Sequence, residues 1–215
     1  MKKIFNWMLA AILVCGASVV MSSCGDDDDD KPIPDAPQPN TYEVTLSAVL
    51  PESAAEFFTL DVSYTDANGK TNTGTLKAGD RTESMSEQMK KLYDIEKESA
   101  IIQMKWEDKP EKLALFEQLI VKNFTFTVPS GKSFSYKATM KARKDYTQPS
   151  GEVFDVIKPF VYMGSKRISG FSQDGSVFTE RLGLRAYGSV ETESLADFLE
   201  MFDGEVIAEE TRTMK

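Results

Sequence analysis

The feature that most limits how this chain can fold is a two-residue alternation that opens at Thr41. In "TYEVTLSAVL", Tyr42, Val44, Leu46, Ala48 and Leu50 take one side, and Thr45 and Ser47 take the other. Successive side chains of a strand point to opposite faces, so this is the pattern of a half-buried strand. "FFTLDVSYT" repeats it with Phe58, Leu60, Val62 and Tyr64 inward. "DANGK" follows, and its Asn68-Gly69 pair favours a tight hairpin that returns along "TNTGTL". Phe124, Phe126 and Val128 alternate before the "PSGK" turn, and Phe134, Tyr136, Ala138 and Met140 alternate after it. "VFDVIKPFVYM", "RISGFS" and "SVFTERLGLRAYG" are further strand segments, with "QDGS" turning between the last two, and "EVIAEE" is a final one. Pro159 has no N–H to give a ladder, so its segment is an edge strand or a broken one.

Helical spacing appears three times. Met85, Met89, Leu92 and Ile95 form one stripe, with Thr82 or Ser84 as the cap. "DKPEKLALFEQLIV" offers Asp108 as a cap, Pro110 in the first turn and Leu113, Phe116 and Ile120 on one face. Leu195, Phe198, Leu199 and Phe202 form the third stripe, which stops at Gly204. Between the first two, "IIQMKW" reads as a short strand with Ile102, Met104 and Trp106 on a core-facing side. The expected fold is therefore mainly β with a few helices (α+β). It is a β-sandwich, immunoglobulin-like in the broad sense, with a small β-barrel carrying packed helices as the alternative. The Cys…Trp…Cys pattern of true immunoglobulin domains is missing, so that likeness is one of architecture. Residues 41–215 suit a single folded β-rich domain.

The first forty residues have a different logic. Lys2 and Lys3 precede an uncharged run from Phe5 to Met21. At about 1.5 Å per residue this run spans roughly 25 Å, short of the roughly 30 Å hydrocarbon core of a bilayer. That layout is a signal peptide, residues 1–23, rather than a retained membrane helix. Met21-Ser22-Ser23-Cys24 resembles a bacterial lipobox, with Met where Leu is commoner and Ser just before the cysteine. The resemblance implies that Cys24 becomes the first mature residue and carries a covalent N-terminal lipid. Asp26 to Asp30 follow at once. In this the chain resembles surface-exposed outer-membrane lipoproteins of the Bacteroides type, where such acids direct export to the outer face. The residues alone also fit a solvated acidic spacer with a periplasm-facing anchor. Prolines 32, 34, 37 and 39 favour extended polyproline II. Residues 24–40 thus form a tether that reaches up to about 50 Å, at about 3.1 Å per residue.

Composition excludes much chemistry. The 215 residues hold 25 basic and 34 acidic side chains and no histidine. Removing residues 1–23 takes away Lys2 and Lys3 and no acid, which leaves 23 against 34, a formal charge of −11. So acidic a chain is not a general nucleic-acid binder. Without histidine there is no Ser-His-Asp or Cys-His catalysis and no histidine metal site. Cys24 is the only mature cysteine, so the folded part holds no disulfide and no thiol nucleophile. A carboxylate pair, a Ser-Lys pair or a calcium site would remain, and no motif announces any of them. No cofactor is expected beyond the lipid.

Two sets of residues carry binding readings. Asp66, Asn68 and Asn72 offer oxygens around a tight turn, a weak calcium candidate, although Lys77 stands where an EF-hand places its glutamate. The charge map is more informative. Residues 131–188 hold ten basic and five acidic side chains inside an acidic chain. There Lys137, Lys141 and Arg143 share one strand face, and Arg181 and Arg185 share another. If those strands are neighbours they make a cationic patch for an anionic glycan or an acidic envelope partner. The alternative is a solvated face neutralised by the chain's own acids. "MGSKRISG" lacks the order of a phosphate loop. The expected function is a lipid-anchored outer-membrane lipoprotein with a non-catalytic binding or accessory role, its partner a glycan or an envelope protein. A structural or adhesion lipoprotein is the alternative, and a carboxylate-based hydrolase comes third.

Overall fold

The computed structural model describes residues 40–169, 178–181 and 186–215. Cys24, the acidic run, the "QDGS" turn and Arg185 lie outside the described residues.

Two four-stranded antiparallel sheets carry the fold. In the first, β1 (Thr41–Pro51) lies between β4 (Leu119–Pro129) and β7 (Phe160–Ser169), and β8 (Phe178–Arg181) pairs with the far side of β7. In the second the order is β10 (Val206–Thr213), β5 (Ser133–Ala142), β2 (Phe58–Thr65), β3 (Thr71–Leu76). A two-stranded ribbon pairs β6 (Val153–Ile157) with β9 (Ala186–Glu191). Val44, Leu46, Leu50, Phe124 and Met163 of the first sheet share one buried cluster with Leu60, Val62, Phe134, Ala138 and Met140 of the second. The two inner faces are therefore one core, as the alternation requires. Tyr64 stacks on Phe126 at 4.7 Å, and Phe126 meets Phe134 edge-on at 5.3 Å, which closes the interface with aromatic contacts. Among the described residues both sheets end in unpaired strands, so the fold is a sandwich with helices, not a closed barrel.

The outer face of the first sheet departs from simple alternation. Ser47 and Val49 point away from the sandwich core and are still fully buried. Helix α2 (Glu87–Met104) lies over them: Met89 and Tyr93 pack with Val49, Val121, Phe160 and Tyr162. Its buried stripe is Met89, Tyr93, Glu96 and Ala100, and Ile95 is 63% exposed. The expected Met85–Met89–Leu92–Ile95 stripe was therefore rotated. A glutamate sits in the covered face because Tyr162 donates its hydroxyl to Glu96 at 3.2 Å. Ser86, not Thr82 or Ser84, caps the helix and accepts the Met89 N–H at 3.3 Å.

Two more expectations are corrected. "IIQMKW" is not a strand: Ile101 to Met104 are the last turn of α2, and Lys105 ends it in the left-handed region, φ 55°. Trp106 is core, as expected, packed with Phe116, Ile157 and Ala100. The helix expected from Asp108 to Ile120 is only α3 (Pro110–Leu113) and one 3-10 turn, capped at Lys109, after which Ile120 already lies in β4. A short helix, α1 (Glu52–Ala55), bends the chain from β1 into β2. Pro159 breaks its segment, with β6 in the ribbon and β7 in the first sheet. The stretch from Phe178 to Gly188 likewise divides between β8 and β9. Helix α4 (Leu195–Phe202) matches its stripe and buries Leu195, Phe198 and Leu199.

Candidate functional site

The basic residues singled out from the sequence do not form one patch. Lys137 and Lys141 project from the outer face of β5 in the second sheet, and Arg143 lies just past its end. Arg181 is in β8, at the edge of the first sheet, at the register position opposite Tyr162. Arg185 lies outside the described residues. The strands that had to be neighbours belong to different sheets.

Several cations of that block are also neutralised from within the chain. Lys137 pairs with Glu209, its cross-strand neighbour on β10, at 3.2 Å. Arg143 grips both oxygens of Asp145 at 3.1 Å and donates to the Ala55 carbonyl at 2.8 Å. Those hydrogen bonds from Arg143 hold the Asp145 carboxyl below its ordinary range, helped by a bond from its own backbone N–H. Lys158 is buried, and its ammonium meets the Glu205 carboxylate. Glu205 and Glu209 belong to the acidic C-terminal stretch, which folds back along the basic block as β10. Lys141 is exposed and near the backbone at Gly204.

The turn from Asp66 is a hairpin connection. Asp66 Oδ1 accepts the N–H groups of Asn68 and Lys70 at 2.9 and 3.0 Å, and Gly69 takes φ +78°. Asn72 lies on β3 and donates its amide to the Lys70 carbonyl at 3.3 Å. Asp66 Oδ1 thus serves the backbone of its own turn. Among the described residues no group of three or more metal-ligating side chains gathers.

The sequence left a Ser-Lys pair open, and the structure builds one. Ser189 Oγ lies 3.4 Å from Lys112 Nζ. Both groups, however, donate to Asp155 Oδ1, the serine at 2.6 Å and the lysine at 3.0 Å. Lys112 Nζ also sits 5.1 Å from the centre of the Trp106 ring. The serine and the lysine thus share one carboxylate oxygen, and the lysine also lies over an aromatic face. The trio ties α3 to the ribbon. Glu152, Glu191 and Glu193 line a depression of about 540 Å³ without clustering. All three are exposed to solvent.

Two depressions have built linings. One, of about 390 Å³, lies on the half of the first sheet's outer face that α2 leaves open. Thr45 and Thr125 hydroxyls face each other at 3.2 Å, and Ser47 donates to Asn123 Oδ1 at 2.6 Å. The Asn123 amide donates to the Ser84 carbonyl at 3.0 Å, so the floor is fixed by its own hydrogen bonds. Glu43 and Lys166, opposite each other on β1 and β7, also line it. The second depression, of about 420 Å³, brings together Lys77, Arg81 and Lys122 at the β3–β4 side of the sandwich. Sequence reasoning missed these three because they stand in a stretch with more acids than bases, far apart along the chain. Only the packing of one sheet against the other joins them. The chain matches no protein-family model, no curated protein and no solved structure.

Proposed function

We propose that this protein is a lipid-anchored lipoprotein of the bacterial outer membrane, displayed at the cell surface, with a non-catalytic binding role. The observation that carries the reading is Met21-Ser22-Ser23-Cys24, followed directly by Asp26 to Asp30 and a proline-spaced tether, ahead of a sandwich that opens at Thr41. Cys24 carries the lipid, the tether holds the sandwich off the bilayer, and no further cofactor is needed. Binding is favoured over catalysis by a sequence with no histidine and with Cys24 as its one cysteine after the signal segment. The ligand is a glycan or an envelope partner.

Fractionation and surface proteolysis of whole cells test this. The wild type is expected in the outer membrane and cut by external protease. Cys24→Ala is expected to leave the membrane fraction. Replacement of Asp26 to Asp30 by alanine is expected to keep the lipid and lose the cutting. Equal cutting of the wild type and the alanine form would reduce the run to a spacer. A second reading, a structural or adhesion role, draws on the sheet edges. Among the described residues β3 and β10 pair on one side only, and such edges accept a donated strand. Self-assembly of the purified lipoprotein into ladders would favour it.

A further inference from the structure

We infer that the seam between the two sheets is a binding site for an acidic sugar, held by Lys77, Arg81 and Lys122. The inference rests on the binding role proposed above and assigns it a place. β3 is the last strand of the second sheet and β4 the last of the first, and they meet where Gly74 abuts the Phe124 ring. The chain leaving β3 then crosses to β4. The Thr82 hydroxyl donates to the Leu119 carbonyl at 2.8 Å, and the Glu83 N–H donates to the Val121 carbonyl at 2.9 Å. This crossing covers part of the β4 edge and encloses the depression of about 420 Å³, a volume within the range of small-ligand sites.

The lining has three kinds of group. Leu76 and Ile120 border it as buried side chains and form its base rather than an open face. Lys77 and Arg81 are exposed and Lys122 is half-buried over the Phe124 ring, its Nζ 5.7 Å from the ring centre. Among the described residues none of these three has a carboxylate partner. Lys97, Lys112, Lys137, Arg143 and Lys158 all have one. In a chain with nine more acids than bases, the depression holds three cations against two carboxylates, a local excess of positive charge. Two carboxylates share the depression. Asp80 Oδ2 accepts the Lys77 N–H at 3.0 Å, and Glu83 Oε2 accepts the Asn123 N–H at 2.8 Å. Both remain able to accept from ligand hydroxyls. Cations for an acidic group and carboxylates for hydroxyls together describe an acidic sugar. A bare inorganic anion would use only the first.

The test is calorimetric titration of the full-length lipoprotein in detergent micelles. The probes are an oligogalacturonate, a sulfated oligosaccharide, a neutral galactan oligomer of equal length, and vesicles of anionic phospholipid. The wild type is expected to bind the oligogalacturonate or the sulfated oligomer, and more weakly as salt rises. The neutral oligomer should bind at least about tenfold more weakly. Arg81→Gln, at an exposed position, should cost about tenfold, the usual scale of one charge-assisted hydrogen bond. The combined Lys77→Gln, Arg81→Gln, Lys122→Gln variant should abolish binding with its melting temperature retained, and Lys90→Gln on α2 should bind as the wild type does. Equal affinity in Arg81→Gln, equal binding of the neutral oligomer, or preference for the vesicles would each overturn the site. A correctly lipidated, surface-cut protein that binds none of the acidic oligosaccharides would also overturn it, and would leave the lipoprotein reading standing.

Discussion

Gly74 is the position where the packing of the sandwich can be tested most sharply. It lies on β3 opposite Val62, facing inward, where β3 closes on β4. A Cβ placed there would sit 2.5 Å from Cε1 and 2.8 Å from Cζ of Phe124. Ordinary carbon contacts need about 3.5 to 4 Å, so the ring must retreat by about 1 Å. It has little room. Phe124 is buried, Tyr64 lies 6.1 Å from it and itself stacks on Phe126, and Lys122 covers it. Overpacking of this kind costs about 1 to 3 kcal/mol. Exchanging glycine for alanine in a strand returns about 0.5 to 1 kcal/mol. Gly74→Ala is therefore expected to destabilise the fold by about 1 to 2 kcal/mol, read as a lower midpoint in urea with an unchanged slope. Phe124→Ala should rescue part of the loss, so that the double variant is less damaged than the two single effects added together. If Gly74→Ala is as stable as the wild type, or if the two substitutions simply add, the strands do not meet as described. The seam pocket would then lose its frame.

Other positions give independent checks. Ser86→Ala removes the cap of α2 and should cost about 1 kcal/mol in the same urea assay. Tyr93 donates its hydroxyl to the Phe116 carbonyl at 2.6 Å in a buried setting, so Tyr93→Phe should cost about 1 to 3 kcal/mol by leaving that carbonyl unpaired. The chain has no histidine, so stability should be nearly flat from about pH 6 to 8. A slope there in pH-dependent unfolding would require a carboxyl with a strongly raised pKa. Burial first, and then Glu117 for Tyr93 and Glu210 for Tyr136, raise both phenols above their ordinary 10.0. Above pH 10 the unfolded chain then loses protons that the folded one retains, so stability should fall as pH rises, and less in Tyr93→Phe with Tyr136→Phe.

Strands with one covered face were legible in the sequence, because a period of two has a single reading. β2, β5 and the Asn68-Gly69 hairpin show it, and α4 was legible from its own helical spacing. What failed were segments whose pattern fits two periods or whose face is covered by something remote. "IIQMKW" satisfies strand alternation and is the end of a helix. The stripe of α2 was misplaced because its buried face includes Glu96, whose hydrogen bond with Tyr162 lies 66 residues away in the chain. The basic block from Lys132 to Arg185 was visible as charge. Its dispersal was not, because strands adjacent in sequence enter different sheets and β10 brings the neutralising acids from the C-terminal stretch. For the same reason Lys77, Arg81 and Lys122 carried no sequence signal: one residue at the end of β3, one in the crossing and one on β4 meet only when the sandwich closes.

Intact-mass analysis of the protein purified from its native cells decides whether Cys24 carries the lipid proposed for it. Expected is a chain that begins at Cys24, heavier than residues 24–215 by a diacylglycerol and an amino-terminal acyl chain, and no lipid-bearing species from Cys24→Ala. A mature chain that begins elsewhere, or one that begins at Cys24 with no added mass, would contradict it.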